Sequence, residues 1–124
     1  MEIFDRSDVS KLAEIRGQIS VMVFCEKTDV PDDLLDEIQS YVGSAEKEDP
    51  NWISFAGKYG ENCHDKFDEI DAATNMFAVT AWNIAEEDVV DYFIGTPGKR
   101  IFVLDEQDCS FQNYVLNDYK EQME

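Results

Sequence analysis

Three short apolar runs, "ISVMVFC" (19–25), "MFAVTAWNI" (76–84) and "RIFVLD" (100–105), constrain the fold of this chain most strongly. Each has the length of a strand and is rich in β-branched or aromatic residues. The first is apolar almost without interruption, so it needs cover on both faces, as a strand of a parallel sheet does. The stretches between them carry apolar residues at helical spacing. Ser7 is placed to cap a helix through "SDVSKLAEIR", with Val9, Leu12, Ala13 and Ile15 inward and Gly17 as its stop. Pro31 opens a second helix, where a missing N–H costs little; its apolar stripe is Leu34, Leu35, Ile38, Tyr41 and Val42, and Gly43 ends it.

Past a polar link (44–50), Trp52, Phe55, Ala56 and Tyr59 fit a helical turn or two. Cys63, Phe67 and Ile70 continue at helical spacing beyond Gly57 and Gly60. "EEDVVDYFIG" predicts a helix with acids in its favourable first turn and Val89, Val90, Phe93 and Ile94 inward. A last helix from Ser110 presents Phe111, Tyr114, Val115 and Tyr119. The predicted order is α, β, α, α, β, α, β, α. Residues 76–105 have the length of a β-α-β unit whose strands pair in parallel through a right-handed crossover. The expectation is a small α/β sandwich, one acidic globular domain over 1–124, with about three mostly parallel strands flanked by four or five helices.

Hydrophobic residues make up 44% and aromatics 12%, enough for a packed core in 124 residues despite a formal charge of −18. That charge is spread along the chain: residues 1–62 hold 14 acids and 6 bases, residues 63–124 hold 14 acids and 4 bases. Direct contact with nucleic acid or anionic membrane is disfavoured, because phosphate neutralisation needs clustered Lys and Arg. Seven of the ten bases are lysine and three cysteines are retained, which argues against adaptation to high salt. No run is long enough to span a membrane, and the N-terminus lacks the apolar core of a signal peptide. Cys25, Cys63 and Cys109, widely spaced and without a C-x-x-C pair, read as reduced thiols in the cytoplasm.

Reaction motifs are weak. "GTPGKR" (95–100) lacks the phosphate-loop spacing, has Arg100 where Ser or Thr belongs, and leads into a strand rather than a helix. His64 is the only histidine, so a small enzyme would have to work through it; neighbouring Cys63 points about 100° away on a helix and makes a poor dyad. The ligand pairs of structural zinc and the spacing of a calcium loop are missing from the sequence, and no cofactor, metal site or catalytic set is expected.

What stands out is acid without an answering base. Asp32, Asp33, Asp36 and Glu37 share the polar side of the second helix, forming like-charge pairs at i,i+4 that cost about 0.2–0.5 kcal/mol each. Glu86, Glu87, Asp88 and Asp91 repeat the pattern on another helix. The first cluster carries four charges over roughly 7.5 Å, a density comparable with the phosphates of duplex DNA. The sequence therefore points to an acidic protein-binding inhibitor, not an enzyme, that occupies the groove of a basic nuclease or other nucleic-acid-binding protein. An immunity or antitoxin protein, or a phage anti-defence protein, would act in this way. Tyr41, with Tyr92 and Tyr119, is a candidate anchor among the acids. The competing expectation is a small cytosolic adaptor or regulatory subunit whose acidity serves solubility.

Overall fold

The structure, a computed structural model, describes residues 2–43, 49–74, 78–83 and 85–123. It holds one sheet of five parallel strands: β1 (Glu2–Phe4), β2 (Ile19–Phe24), β3 (Trp52–Ala56), β4 (Val79–Asn83) and β5 (Lys99–Val103), in the order β1-β5-β2-β3-β4. Four α-helices, α1 (Asp32–Val42), α2 (Gly60–Ala73), α3 (Glu86–Ile94) and α4 (Ser110–Met123), and a 3₁₀ segment (Arg6–Glu14) cover its two faces. The α/β class agrees with the sequence, with five strands where about three were expected. Residues 44–48 of the polar link, and 75–77 and 84 around the second apolar run, lie outside the described residues.

Burial explains the strand order. All six β2 residues are buried, with Ile19, Val21 and Val23 in one core layer and Met22 and Phe24 in the other. Such a strand needs a helix layer on each face and a strand on each side. The first layer seats Leu35, Ile38 and Val42 of α1, Cys63 and Phe67 of α2, and Val9 and Leu12 of the 3₁₀ segment. The second seats Val89, Val90 and Phe93 of α3 with Val115 and Tyr119 of α4. Four aromatic rings meet at its centre: Phe102 lies 5.8 Å from Phe24, 5.0 Å from Phe93 and 5.1 Å from Tyr119, ring centre to ring centre.

Four expectations are corrected. Trp52–Ala56 is a strand rather than a helical turn: Ile53 and Phe55 face one layer and Ser54 and Ala56 the other, a period of two. Trp52, Phe55, Ala56 and Tyr59 imitated a helical stripe because apolar residues on both faces of a buried strand also fall at spacings of three and four. The strands at either end of 76–105 do not pair with each other, since β2 and β3 lie between β4 and β5. Ile101, Phe102 and Val103 are fully buried and take an interior position, whereas all of β4 is half-buried and takes the edge. The first helix is 3₁₀, and its buried residues Arg6, Val9 and Leu12 recur every three positions. That period leaves Ala13 exposed, and the segment starts one residue before Ser7, which therefore does not cap it. In α4, Tyr114 is exposed and Gln112 is buried in its stead.

Gly57 lets the β3–α2 turn pass against the β2–α1 loop. Its φ is +126°, and a Cβ there would lie 2.6 Å from the Glu26 amide nitrogen. Both the backbone region and the overlap exclude a side chain. Gly57→Ala is expected to cost about 3 kcal/mol, measured as a lower midpoint of chemical denaturation with an unchanged slope.

Candidate partner-binding surface

In a parallel sheet every strand ends at the same edge, and here each strand's carboxyl end leads into a helix. Beyond β2 the chain adds β3 and β4 on one side, then returns to place β5 on the other flank of β2. In folds of this kind small ligands settle in the crevice where that reversal occurs, outside the carboxyl ends of the two strands. In this protein its own residues bind one another there. Arg6, 6% exposed, donates from Nη1 to the Asp29 carbonyl (2.9 Å) and from Nη2 to the carbonyls of Phe24 (3.1 Å) and Thr28 (2.9 Å). The carboxylate of Asp105, just past β5, accepts the amides of Lys27 (2.8 Å) and Thr28 (3.4 Å) and the Thr28 hydroxyl. Arg6 and Asp105 face each other at 3.9 Å. Gln112 of α4 accepts the Asp105 amide at 2.8 Å.

A buried cation thus holds the carbonyls of the β2–α1 loop while a buried anion holds its amides. Burial alone pushes the Asp105 carboxyl up, but the Thr28 hydroxyl and the amides of Lys27, Gln107 and Thr28 outweigh it and hold the group below the usual carboxylate range. Asp29 is lowered in the same way: burial raises it, and the Cys63 thiol, the Val30 amide and Lys66 more than compensate. A carboxyl whose folded value is depressed stabilises the fold above its unfolded value, about 3.9, and loses that contribution as pH falls through the folded value. Stability should therefore decline below about pH 4. Asp105→Ala, which strands Arg6, should cost about 3 kcal/mol at neutral pH and flatten the acid limb of a denaturation-midpoint-against-pH profile.

The acids singled out by the sequence are exposed, apart from the half-buried Glu86, but they form two groups. Asp32, Asp33, Asp36 and Glu37 lie on α1, over one face of the sheet; Glu86, Glu87, Asp88 and Asp91 lie on α3, over the other. The two helices share no flat acidic face. What they share is the carboxyl edge, toward which both point their N-terminal turns. Residues 5–6, 26–33, 57–61, 85–88 and 105–108, which form the turns and helix starts of that edge, hold twelve acids and three bases, half of the chain's net charge. The described turns of the opposite edge, 15–18, 49–51 and 95–99, hold one acid and two bases. Helix dipoles directed at the carboxyl edge make this density tolerable.

The α1 cluster is not wholly without a base. Lys66 of α2 reaches Asp32 (3.4 Å) and Asp29 (3.5 Å) across a hollow of about 220 Å³ that Asp36, Glu69 and Ile70 also line. Tyr41 is half-buried and donates to Glu37 at 3.2 Å. Tyr92 packs on Trp52 (6.5 Å between ring centres), and Tyr119 is a core residue. Of the three tyrosines, Tyr41 alone stands among the α1 acids.

His64 Nδ1 lies 3.1 Å from Asp65, and Nε2 lies 3.1 Å from the Thr80 hydroxyl and 3.4 Å from Asp68. Thr80 donates its proton to Asp68 at 2.7 Å, so its oxygen is left to accept from His64. That is the reverse of a nucleophile handing its proton to a base. Arg6, Asp105 and Lys66 are not marked by any local spacing, because each meets its partner across the fold, and Gln112 joins them through the Asp105 amide seven residues before it. One signal was present: Asp105 closes an apolar run, the position from which a side chain reaches the crevice. Comparison with protein-family models, with curated proteins and with solved structures finds no match to this chain.

Proposed function

We propose that this chain is an acidic inhibitor that binds a basic nucleic-acid-handling protein and blocks the surface its nucleic acid would use. The observation that carries the reading is the segregation of charge: a net −9 lies along the carboxyl edge, while the described turns of the other edge carry almost none. Acidity serving only solubility has no need of that polarity. An oriented field draws a basic partner onto one end of the molecule and speeds encounter. The exposed side of α1, with Tyr41 at its flank, extends the edge into a surface long enough to lie in a groove. The Arg6–Asp105 pair commits its polar groups to the β2–α1 loop at the crevice a small substrate would use, beside a hollow of about 260 Å³ that both residues line, and this favours a binding protein over an enzyme. No helix among the described residues is long and apolar enough to cross a membrane, and the described cysteines are free thiols. Both fit action in the cytoplasm, on a nuclease or a defence complex.

The test is capture of partners from lysate by the tagged chain, followed by a challenge with duplex DNA. Release of a basic nucleic-acid-binding protein by DNA is the expected result. Retention of a partner indifferent to DNA and salt points to the adaptor instead. With the partner in hand, the combined reversal Asp32→Lys, Asp33→Lys, Asp36→Lys and Glu37→Lys should slow association at low salt by about tenfold or more. Dissociation should change far less, and the difference should shrink as salt is raised. An association rate unmoved by the reversal removes α1 from the interface.

A further inference from the structure

The longest uncharged stretch of the chain is 72–85, "AATNMFAVTAWNIA", in a protein where charged residues make up 31%. β4 lies inside it, at the edge of the sheet, and among the described residues no strand pairs with its outer side. Open edges are normally blunted by shortness, charge or proline. The opposite edge obeys that rule: β1 has three residues, and its Glu2 is paired with Lys99 at 2.7 Å. β4 has five residues and no charge.

The backbone of β4 shows which groups are on offer. The Val79 amide donates to the Asn51 carbonyl (3.0 Å) and the Asn83 carbonyl accepts from Gly57 (2.9 Å), so the odd-numbered residues face β3. In a parallel strand successive residues turn their amide and carbonyl to opposite sides, which sends those of Thr80 and Trp82 outward. The amide of Ala78 also turns outward, and the Asp71 carboxylate takes it at 3.0 Å, closing one end of the edge. Among the described residues, nothing pairs with the outward groups of Thr80 to Trp82. Exposed carboxylates stand on the helices that pack over the two faces of the strand: Asp65 and Asp68 on α2, with Asp68 accepting the Thr80 hydroxyl at 2.7 Å, and Glu87, Asp88 and Asp91 on α3.

We propose that the outer edge of β4, from Thr80 to Trp82, is a strand-addition site for an extended basic segment of the partner protein. Main-chain hydrogen bonds to Thr80 and Trp82 hold the segment, and its lysine or arginine side chains lie beside the carboxylates of α2 and α3. Charge selects this occupant over a second copy of the chain, which would bring −18 against −18. The proposal rests on the reading that the partner is basic, but it uses a different surface from α1.

The probe is an acetylated, amidated peptide alternating lysine with valine, titrated into the ¹⁵N-labelled chain and measured by fluorescence anisotropy. Amide shifts should centre on Thr80 and Trp82. Thr80→Pro removes an outward N–H without breaking the ladder to β3 and should weaken binding about tenfold, while Thr80→Val, which loses the hydroxyl but keeps the N–H, should stay within about twofold. N-methylation of the peptide's valines should weaken binding to the unaltered chain, a result independent of how well any variant folds. Equal binding by Thr80→Pro and indifference to N-methylation overturn the proposal. So does binding that the α1 reversal alone abolishes, an outcome that leaves the proposed inhibitor standing. Peptide binding that persists at β4 while the captured partner proves indifferent to DNA and salt has the opposite meaning: the strand-addition site stands and the proposed inhibitor falls. Dimers in light scattering that Thr80→Pro dissolves overturn the assigned occupant.

Discussion

The contact on which the rest of the arrangement hangs is the buried pair of Arg6 and Asp105. Between them lies the segment from Phe24 to Asp29, with carbonyls bound to the guanidinium and amides to the carboxylate. A loop held from both sides leaves α1 one direction of departure, and the acids of that helix inherit it. The pair also joins the first and last strands of the chain, because Arg6 follows β1 and Asp105 follows β5, the strand beside it. Burying two charges is costly unless each has several partners. Arg6 has three carbonyls and Asp105 a hydroxyl and several amides, so both are compensated mainly by the backbone they organise. The Nε of Arg6 has no partner among the described residues, a local cost that the other donors offset.

A parallel sheet also turns a sequence-wide excess of acid into a directional one. Acids favour the first turns of helices, where the dipole stabilises them, and in this topology those turns all lie at one edge. Helix propensity alone would place acids there; it would not account for the excess of acids over bases in the loops beside them. The loops at the carboxyl edge carry Asp5, Glu26, Asp29, Glu106 and Asp108 outside any helix, beyond the reach of that explanation. The polarity of the molecule therefore exceeds what local helix stability requires.

Much of this was legible in the residues, for reasons that can be named. β2 and β5 were visible because double burial leaves an unbroken apolar run, and α1 and α3 because an apolar stripe beside acids has a clear period. β3 was misread because aromatic and small residues at 52, 55, 56 and 59 satisfy the helical spacing as well as the strand spacing. β1 escaped notice since its three residues, Glu2–Phe4, give no period at all. That the two acidic clusters would lie over opposite faces of the sheet was not legible either. It depends on whether the chain crosses above or below the sheet at each connection, and neither α1 nor α3 encodes that in its own composition.

The edge strand shows how position changes the meaning of a composition. Read as a buried strand, "MFAVTAWNI" needs no charge, and its apolar character calls for no explanation. Placed at the edge with all five β4 residues half-buried, the same residues leave a neutral ledge between acidic helices. A chain with 28 acids could have put one on β4 at little cost to packing, and the charge would have guarded the edge. Asp71 already guards it at Ala78, so the sequence closes one end and leaves Thr80 to Trp82 open. Under the proposed function, the carboxyl edge and this ledge would divide the labour of recognition: the field would bring a basic partner close, and the ledge would supply hydrogen bonds that salt does not screen.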